Sequence, residues 1–198
     1  MNRRWLMILP MLLAVTTAQA DRVESMSELL RLPKYCWGTQ QVREVSGDPV
    51  PLGEYYKRYG FGYSHLHHYC WALTTENRVA ITNPRDGKFW LDNAIGDIDY
   101  VLRQNKDPKF VFLPEIYVTK ARILFKLDKA ADAVPWLQKA IAANPKYLPA
   151  YARLSDYYAE KGDKAEAIKI LNQGLARNKN SDMLNRRLRE LQTAEHHD

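Results

Sequence analysis

Residues 113–144 read LPEIYVTKARILFKLDKAADAVPWLQKAIAAN, and residues 147–177 read YLPAYARLSDYYAEKGDKAEAIKILNQGLAR. The two stretches share a register of 34 residues. In each of them, small residues stand three or four positions from large apolar ones, a spacing that places both on one face of a helix. The register therefore predicts two consecutive helical units of the same kind. The equivalent pairs are Tyr117 and Tyr151, Ala121 and Ser155, Leu124 and Tyr158, Ala133 and Ala167, Leu137 and Leu171, and Ala140 and Gly174.

These two units resemble the tetratricopeptide repeat family, whose unit is a helix–turn–helix of 34 residues. Pro145 stands at the family's proline position after the second helix, and Gly162-Asp163 stands at the turn inside the second unit. Lys179 departs from the family pattern, because a second proline would be expected there. The resemblance implies an all-α fold of helix–turn–helix repeats, a tetratricopeptide-like α-solenoid with an irregular N-terminal extension.

Upstream of the two units the register weakens. Residues 63–76 and 90–102 carry apolar residues at helical spacing, and residues 77–89 between them are rich in turn-forming residues. One further amphipathic helix follows the repeats and would close the apolar end of the stack. The sequence thus predicts a signal peptide at 1–20, an irregular segment with aromatic residues and cysteines at 21–62, a degenerate tetratricopeptide-like helical hairpin with an insertion at 63–112, two repeat units at 113–181, and a C-terminal capping helix and tail at 182–198.

The first twenty residues have the pattern of an export signal. Arg3 and Arg4 precede an apolar run at residues 5–15 that is too short to span a bilayer comfortably. Ala18-Gln19-Ala20 then matches a small-x-small cleavage site, so we expect the mature chain to begin at Asp21 in the periplasm, without a membrane span. The alternative is an uncleaved N-terminal anchor.

Two cysteines, Cys36 and Cys70, are present. In an oxidising, exported compartment an isolated pair is more often bridged than free, which predicts a disulfide between them. The alternative is two buried thiols that act as small apolar side chains.

Composition and charge indicate a globular protein and argue against a nucleic-acid partner. The chain is 46% hydrophobic and 26% charged, values typical of globular proteins. Its formal charge is +6, and without Arg3 and Arg4 it has 27 basic and 23 acidic residues, a net charge of +4. The basic residues are dispersed and no nucleic-acid-binding module is recognisable, so a nucleic-acid partner is not expected.

The densest group of reactive side chains runs from Tyr63 to Trp71 (YSHLHHYCW). A zinc or copper site needs three or four converging ligands, and the sequence offers no second ligand pair at a characteristic spacing. The chain also lacks the nucleophile-elbow, phosphate-loop and metalloprotease motifs. We therefore expect no enzyme activity, no catalytic residues and no cofactor or metal. The alternative is an exported enzyme or a thiol or metal factor that uses the cluster from His65 to Cys70.

In the tetratricopeptide family the first helix of each unit lines a concave groove that receives peptides or partner helices. The resemblance implies a groove with several basic side chains, which would suit an acidic segment of another envelope protein. Arg122 and Arg153 are expected to be exposed and central to it. The alternatives are a solvated face without a ligand and an aromatic surface of the N-terminal part. That surface lies around Trp37, Tyr56, Tyr63 and Trp71. The predicted groove residues are Trp71, Arg122, Phe125, Lys126, Arg153, Asp156, Arg186 and Arg187.

The sequence therefore predicts a periplasmic protein–protein interaction module, which acts as a scaffold or accessory subunit of a cell-envelope assembly.

Overall fold

A computed structural model describes residues 22–193, so the expected signal peptide and the tail beyond residue 193 lie outside the described residues. Within that range the fold is all-α, without a β-strand, and none of the helices is both long and apolar enough to cross a membrane. The α-helices are α1 (Met26–Leu29), α2 (Lys34–Trp37), α3 (Arg43–Ser46), α4 (Leu52–Tyr59), α5 (Leu66–Thr82), α6 (Gly87–Gln104), α7 (Leu113–Lys126), α8 (Ala130–Ala143), α9 (Leu148–Glu160), α10 (Lys164–Leu175) and α11 (Asp182–Thr193), and a 3₁₀ helix covers Phe61–His65.

The predicted repeat units are two helical pairs, α7 with α8 and α9 with α10. Their turns are equivalent, because Asp128 and Gly162, which are 34 residues apart, both have left-handed backbone conformations with φ of 60° and 79°. The Asp163 side chain then accepts a hydrogen bond from the Glu166 backbone N–H at 3.0 Å and so caps the start of α10. The predicted all-α repeat fold is therefore confirmed.

Small side chains allow the paired helices to approach closely. Gly174 in α10 is the clearest case, because a Cβ atom there would lie 2.6 Å from Leu184 of α11 and 3.0 Å from the Tyr151 ring of α9. Close contact of this kind gives packing at the density of a protein interior. The other small residues of the register are also buried, with exposures of 0 or 1%: Ala121, Ala133, Ala140, Ser155 and Ala167.

The hairpin upstream of the repeats is longer and more regular than predicted. Residues 77–89 were expected to form an insertion, but α5 continues to Thr82 and the connection is limited to residues 83–86. Val79 packs against the core and Arg78 pairs with Glu28, so tertiary contacts keep this stretch helical despite its turn-forming residues. Asn83 ends α5 in a left-handed conformation with φ of 42°.

The N-terminal segment packs against α5 through four short helices joined by turns. Leu29, Cys36 and Val42 are fully buried in the same core as α5. Cys36 of α2 and Cys70 of α5 are paired, with Cα atoms 5.8 Å apart. This segment therefore covers the side of α5 that a preceding repeat would cover in a longer stack.

The register makes a specific prediction for stability. Ala133 is completely buried in α8, so Ala133→Leu should overpack the contact between helices and lower the free energy of unfolding by about 1–3 kcal/mol. Ala142→Leu is the matched control, because Ala142 is exposed on the same helix. Urea denaturation would measure both variants, and equal stability of the two would contradict the packing described above.

Candidate partner-binding groove

Seven of the eight predicted groove residues lie on three neighbouring helices. Arg122, Phe125 and Lys126 are on α7, Arg153 and Asp156 are on α9, and the remaining two cations are on α11. Several of these side chains are joined by ion pairs that also reach α5. The charge of the groove is therefore decided by intramolecular pairing rather than by the number of basic residues.

Glu76 of α5 forms ion pairs with two of the predicted groove cations. Its carboxylate accepts hydrogen bonds from Arg122 Nε at 2.7 Å, Arg122 Nη2 at 2.5 Å and Lys126 Nζ at 2.6 Å. Glu76 is 4% exposed. Burial raises the pKa of this carboxyl, but the hydrogen bonds and charges of Arg122 and Lys126 outweigh burial and leave the pKa below its ordinary value of 4.5. Arg122 is therefore paired within the fold and only partly exposed, contrary to the expectation that it is exposed. Its role in partner binding stays a prediction.

A second ion pair joins α9 to α11. Arg187 Nε donates to Asp156 Oδ1 at 2.7 Å, and Arg187 Nη2 donates to Asp156 Oδ2 at 3.1 Å. The hydrogen bond with Asp156 raises the pKa of Arg187. Arg186 is exposed, and its Nε lies 3.8 Å from Glu190 on the same helix. The pair between Asp156 and Arg187 therefore neutralises a third predicted cation and the predicted acidic residue.

Arg153 differs from the other groove cations. It is half-buried, and it makes no ion pair or hydrogen bond with any residue between 22 and 193. Burial, followed by the nearby charge of Arg122, lowers the pKa of its guanidinium. The charges of Glu76 and Asp156 act in the opposite direction without outweighing burial. Arg153 thus has an incompletely solvated charge without a directly bonded anion, which is unfavourable in the isolated chain.

Arg153 faces a cavity of about 380 Å³ between the turn after α7 and the helix α9. Two aromatic rings lie at this cavity, those of Phe125 and Tyr157, with centroids 5.9 Å apart. The arrangement offers an apolar surface beside an unpaired guanidinium. The complete lining consists of Phe125, Asp128, Ala130, Arg153, Asp156, Tyr157 and Glu160.

The N-terminal segment closes the groove at its other end. Tyr35 of α2 donates a hydrogen bond to Glu115 of α7 at 2.5 Å, and the Tyr69 hydroxyl donates to the same oxygen at 3.3 Å. Burial is the main cause of the raised pKa values of both phenols. Tyr69 also shares a hydrogen bond with Thr119 at 2.9 Å. The accessible part of the groove therefore runs from Arg122 towards α11.

Trp71 does not line this groove. Tyr69 of α5 contacts α7, whereas Trp71 lies about 200° further around the same helix at 100° per residue. Its ring centroid is 4.6 Å from that of His68, whose Nδ1 is 2.6 Å from Asp97 Oδ1 of α6. On this side α5 contacts its own partner helix, so the structure does not bring Trp71 together with the other predicted groove residues. The rival aromatic surface is also reduced, because Tyr63 is only 1% exposed.

The histidine cluster is mostly packed within the fold. His67 Nδ1 lies 3.2 Å from the Ser64 carbonyl oxygen, which accepts a hydrogen bond when this nitrogen is protonated. Burial, followed by the charge of His68, lowers the pKa of His67 to about 4. No group of three His, Cys, Asp or Glu side chains suited to hold a metal occurs in the described part of the chain.

Sequence reasoning missed Glu76, the acid on which two groove cations depend. The turn-forming residues from 77 onward were interpreted as the end of the first helix, so Glu76 was assigned to a helix terminus. A usable signal was present, because Tyr69, Leu73 and Glu76 recur at helical spacing on the face that meets α7.

The ion pair of Glu76 predicts the effect of charge reversal. Arg122→Glu would place two carboxylates together at a buried position and should lower the free energy of unfolding by about 3 kcal/mol. Arg186→Glu makes the same charge change at an exposed position and should alter stability by less than about 0.5 kcal/mol. Because the folded-state pKa of Glu76 is lowered, its contribution is complete above pH 4.5 and is lost as pH falls through the folded-state value.

Urea denaturation between neutral and acidic pH would measure both effects, and Glu76→Gln should remove part of the acid dependence. Equal stability of the two charge-reversal variants would contradict a structural role for Arg122.

Comparison with known proteins supports this fold. The family model of the tetratricopeptide repeat matches residues 101–191, which include most of the helices that line the groove. No curated protein matches the chain. Tetratricopeptide repeats are typically non-catalytic modules that mediate protein–protein interaction. The match and the helical pairs together give the chain an all-α, tetratricopeptide-like helical repeat fold.

Proposed function

We propose that this protein is an exported, periplasmic interaction module that serves as a scaffold or accessory subunit of a cell-envelope assembly. The similarity to tetratricopeptide repeats supports a protein partner. The succession of basic, apolar and Ala-x-Ala residues at 1–20 supports export. The paired cysteines are compatible with an oxidising compartment, in which we propose that they form a disulfide.

The observation that carries the binding site is the unpaired, half-buried Arg153. A carboxylate of the partner could accept two parallel hydrogen bonds from its guanidinium. Such a contact would also supply the directly bonded anion that Arg153 lacks in the isolated chain.

The rest of the cavity restricts the chemistry of that partner. Asp128, Asp156 and Glu160 also line it, so a run of several acidic residues would be repelled. Phe125 and Tyr157 offer an apolar surface next to the guanidinium. The site therefore suits a single carboxylate, either an isolated acidic side chain or a chain terminus, beside an apolar or aromatic side chain.

Arg153→Met tests this site. It should weaken partner binding by about 10- to 100-fold, because a hydrogen-bonded charge is lost. It should leave the stability of the isolated protein unchanged or raise it, because a poorly solvated charge is removed from the fold. Arg189→Met is the matched control, since it removes the same charge at an exposed position of α11 that is not among the predicted groove residues. Recovery of partners by affinity purification from envelope extracts, together with thermal melting, would measure both effects.

The proposal fails if Arg153→Met recovers the same partners as the unchanged protein. It also fails if Arg153→Met and Arg189→Met reduce recovery equally, because general charge would then explain binding.

Export and the disulfide can be tested by one measurement. The intact mass of the exported protein should correspond to a chain that begins at Asp21, and it should be lighter than the reduced chain by two hydrogen atoms. The bridge closes a loop between residues 34 positions apart and should contribute roughly 3–4 kcal/mol to stability. A mass that retains Met1 would favour the anchor alternative, and alkylation of both cysteines without reductant would exclude the bridge.

A further inference from the structure

The two edges of the helical array differ in charge. In an array of antiparallel helices, the turns within pairs lie at one edge and the loops between pairs lie at the opposite edge. The loops between pairs cover residues 105–112, 144–147 and 176–181. Pro108, Lys109 and Val111 of the first loop line one cavity of about 210 Å³ with Asn144 of the second, so these two loops are adjacent. We call the edge formed by the three loops the basic edge.

The basic edge carries five exposed cations and one acidic residue, Asp107. None of the five cations makes an ion pair with a residue in the range 22–193. The turns at the opposite edge, residues 83–86, 127–129 and 161–163, contain three basic and three acidic residues. Two of these six residues form ion pairs with residues of neighbouring helices: Asp128 pairs with Lys88, and Lys129 pairs with Asp92. The five cations of the basic edge are Lys106, Lys109, Lys146, Arg177 and Lys179.

Two apolar side chains project from the same edge. Val111 in the first loop is 61% exposed, and Phe61 in the 3₁₀ helix at the start of α5 is 77% exposed. The two segments that carry them are adjacent, because a Cβ atom at Gly62, next to Phe61, would lie 3.0 Å from the ring of Phe110, next to Val111. Exposed apolar side chains grouped with unpaired cations indicate an interaction surface.

We propose that the basic edge docks on the surface of an anionic lipid bilayer. Unpaired cations are attracted to acidic headgroups, and Phe61 and Val111 can enter the boundary with the acyl chains. A bilayer accepts side chains that project separately from loops, whereas a protein partner would need a pocket complementary to each of them. The concave groove lies between the two edges, so docking by one edge leaves the groove open to a protein partner.

Vesicle co-sedimentation of the exported full chain tests this proposal. The protein should bind vesicles of equal parts phosphatidylglycerol and phosphatidylcholine, and salt should weaken this binding. Vesicles of phosphatidylcholine alone should bind it far more weakly. Each cation near an anionic surface raises the partition coefficient about fivefold, so the combined variant Lys109→Gln, Lys146→Gln and Lys179→Gln should bind about a hundredfold more weakly. Phe61→Ser should weaken binding further in the presence of high salt.

The matched control changes the opposite edge by the same charge, through Arg85→Gln, Lys129→Gln and Lys161→Gln. This variant should retain nearly all vesicle binding. Equal loss in both triple variants would overturn the proposal, because net charge and not the basic edge would then explain binding. Absence of binding to the phosphatidylglycerol vesicles would also overturn it. So would a basic-edge variant that binds these vesicles normally but loses a protein partner, since the edge would then be a protein interface.

Discussion

Glu76 has almost no contact with solvent, and a charge in such a position is tolerated only when cations of another element reach it. Arg122 and Lys126 of α7 do so, and they thereby fix the position of α5 against the first repeat. A second pair supports the same interface, because Lys120 of α7 is bonded to Asp99 of α6 and lies 3.9 Å from the Trp136 ring. The upstream hairpin is therefore held to the repeats by charge as well as by apolar packing.

The chemistry of the groove follows from these pairs. Basic side chains on neighbouring first helices would by themselves indicate a strongly positive surface. Ion pairs with Glu76 and Asp156 neutralise most of that charge. The guanidinium of Arg153 is partly buried and has no ion-pair partner among the described residues. The result is a groove with one compact polar anchor beside two aromatic rings. Such an arrangement favours recognition by shape and hydrogen-bond geometry over long-range attraction.

The repeats could be predicted from the sequence because their information is local. Small residues such as Ala133 and Ala167 recur in one register, and the turn at Gly162 needs a left-handed backbone conformation that glycine adopts freely. The ionic state of the groove could not be predicted in this way. It depends on Glu76, which is 46 residues before Arg122 and belongs to a helix whose end was misassigned. Trp71 was misplaced for a related reason, since helical spacing gives a face but not the neighbour that covers it.

Both ends of the described stack are covered, which restricts where a further repeat unit could be added to the chain during evolution. The N-terminal segment covers α5 and reaches α7 through Tyr35, and Leu184 of α11 packs against Gly174 of the last pair. An additional unit attached at either end would have to displace one of these coverings. A unit inserted between Ala143 and Leu148 would keep both coverings and the ion pair of Glu76 intact, because the apolar faces of α8 and α9 already receive neighbours of the same type. Lengthening by internal duplication is therefore the route that this architecture permits at the smallest structural cost.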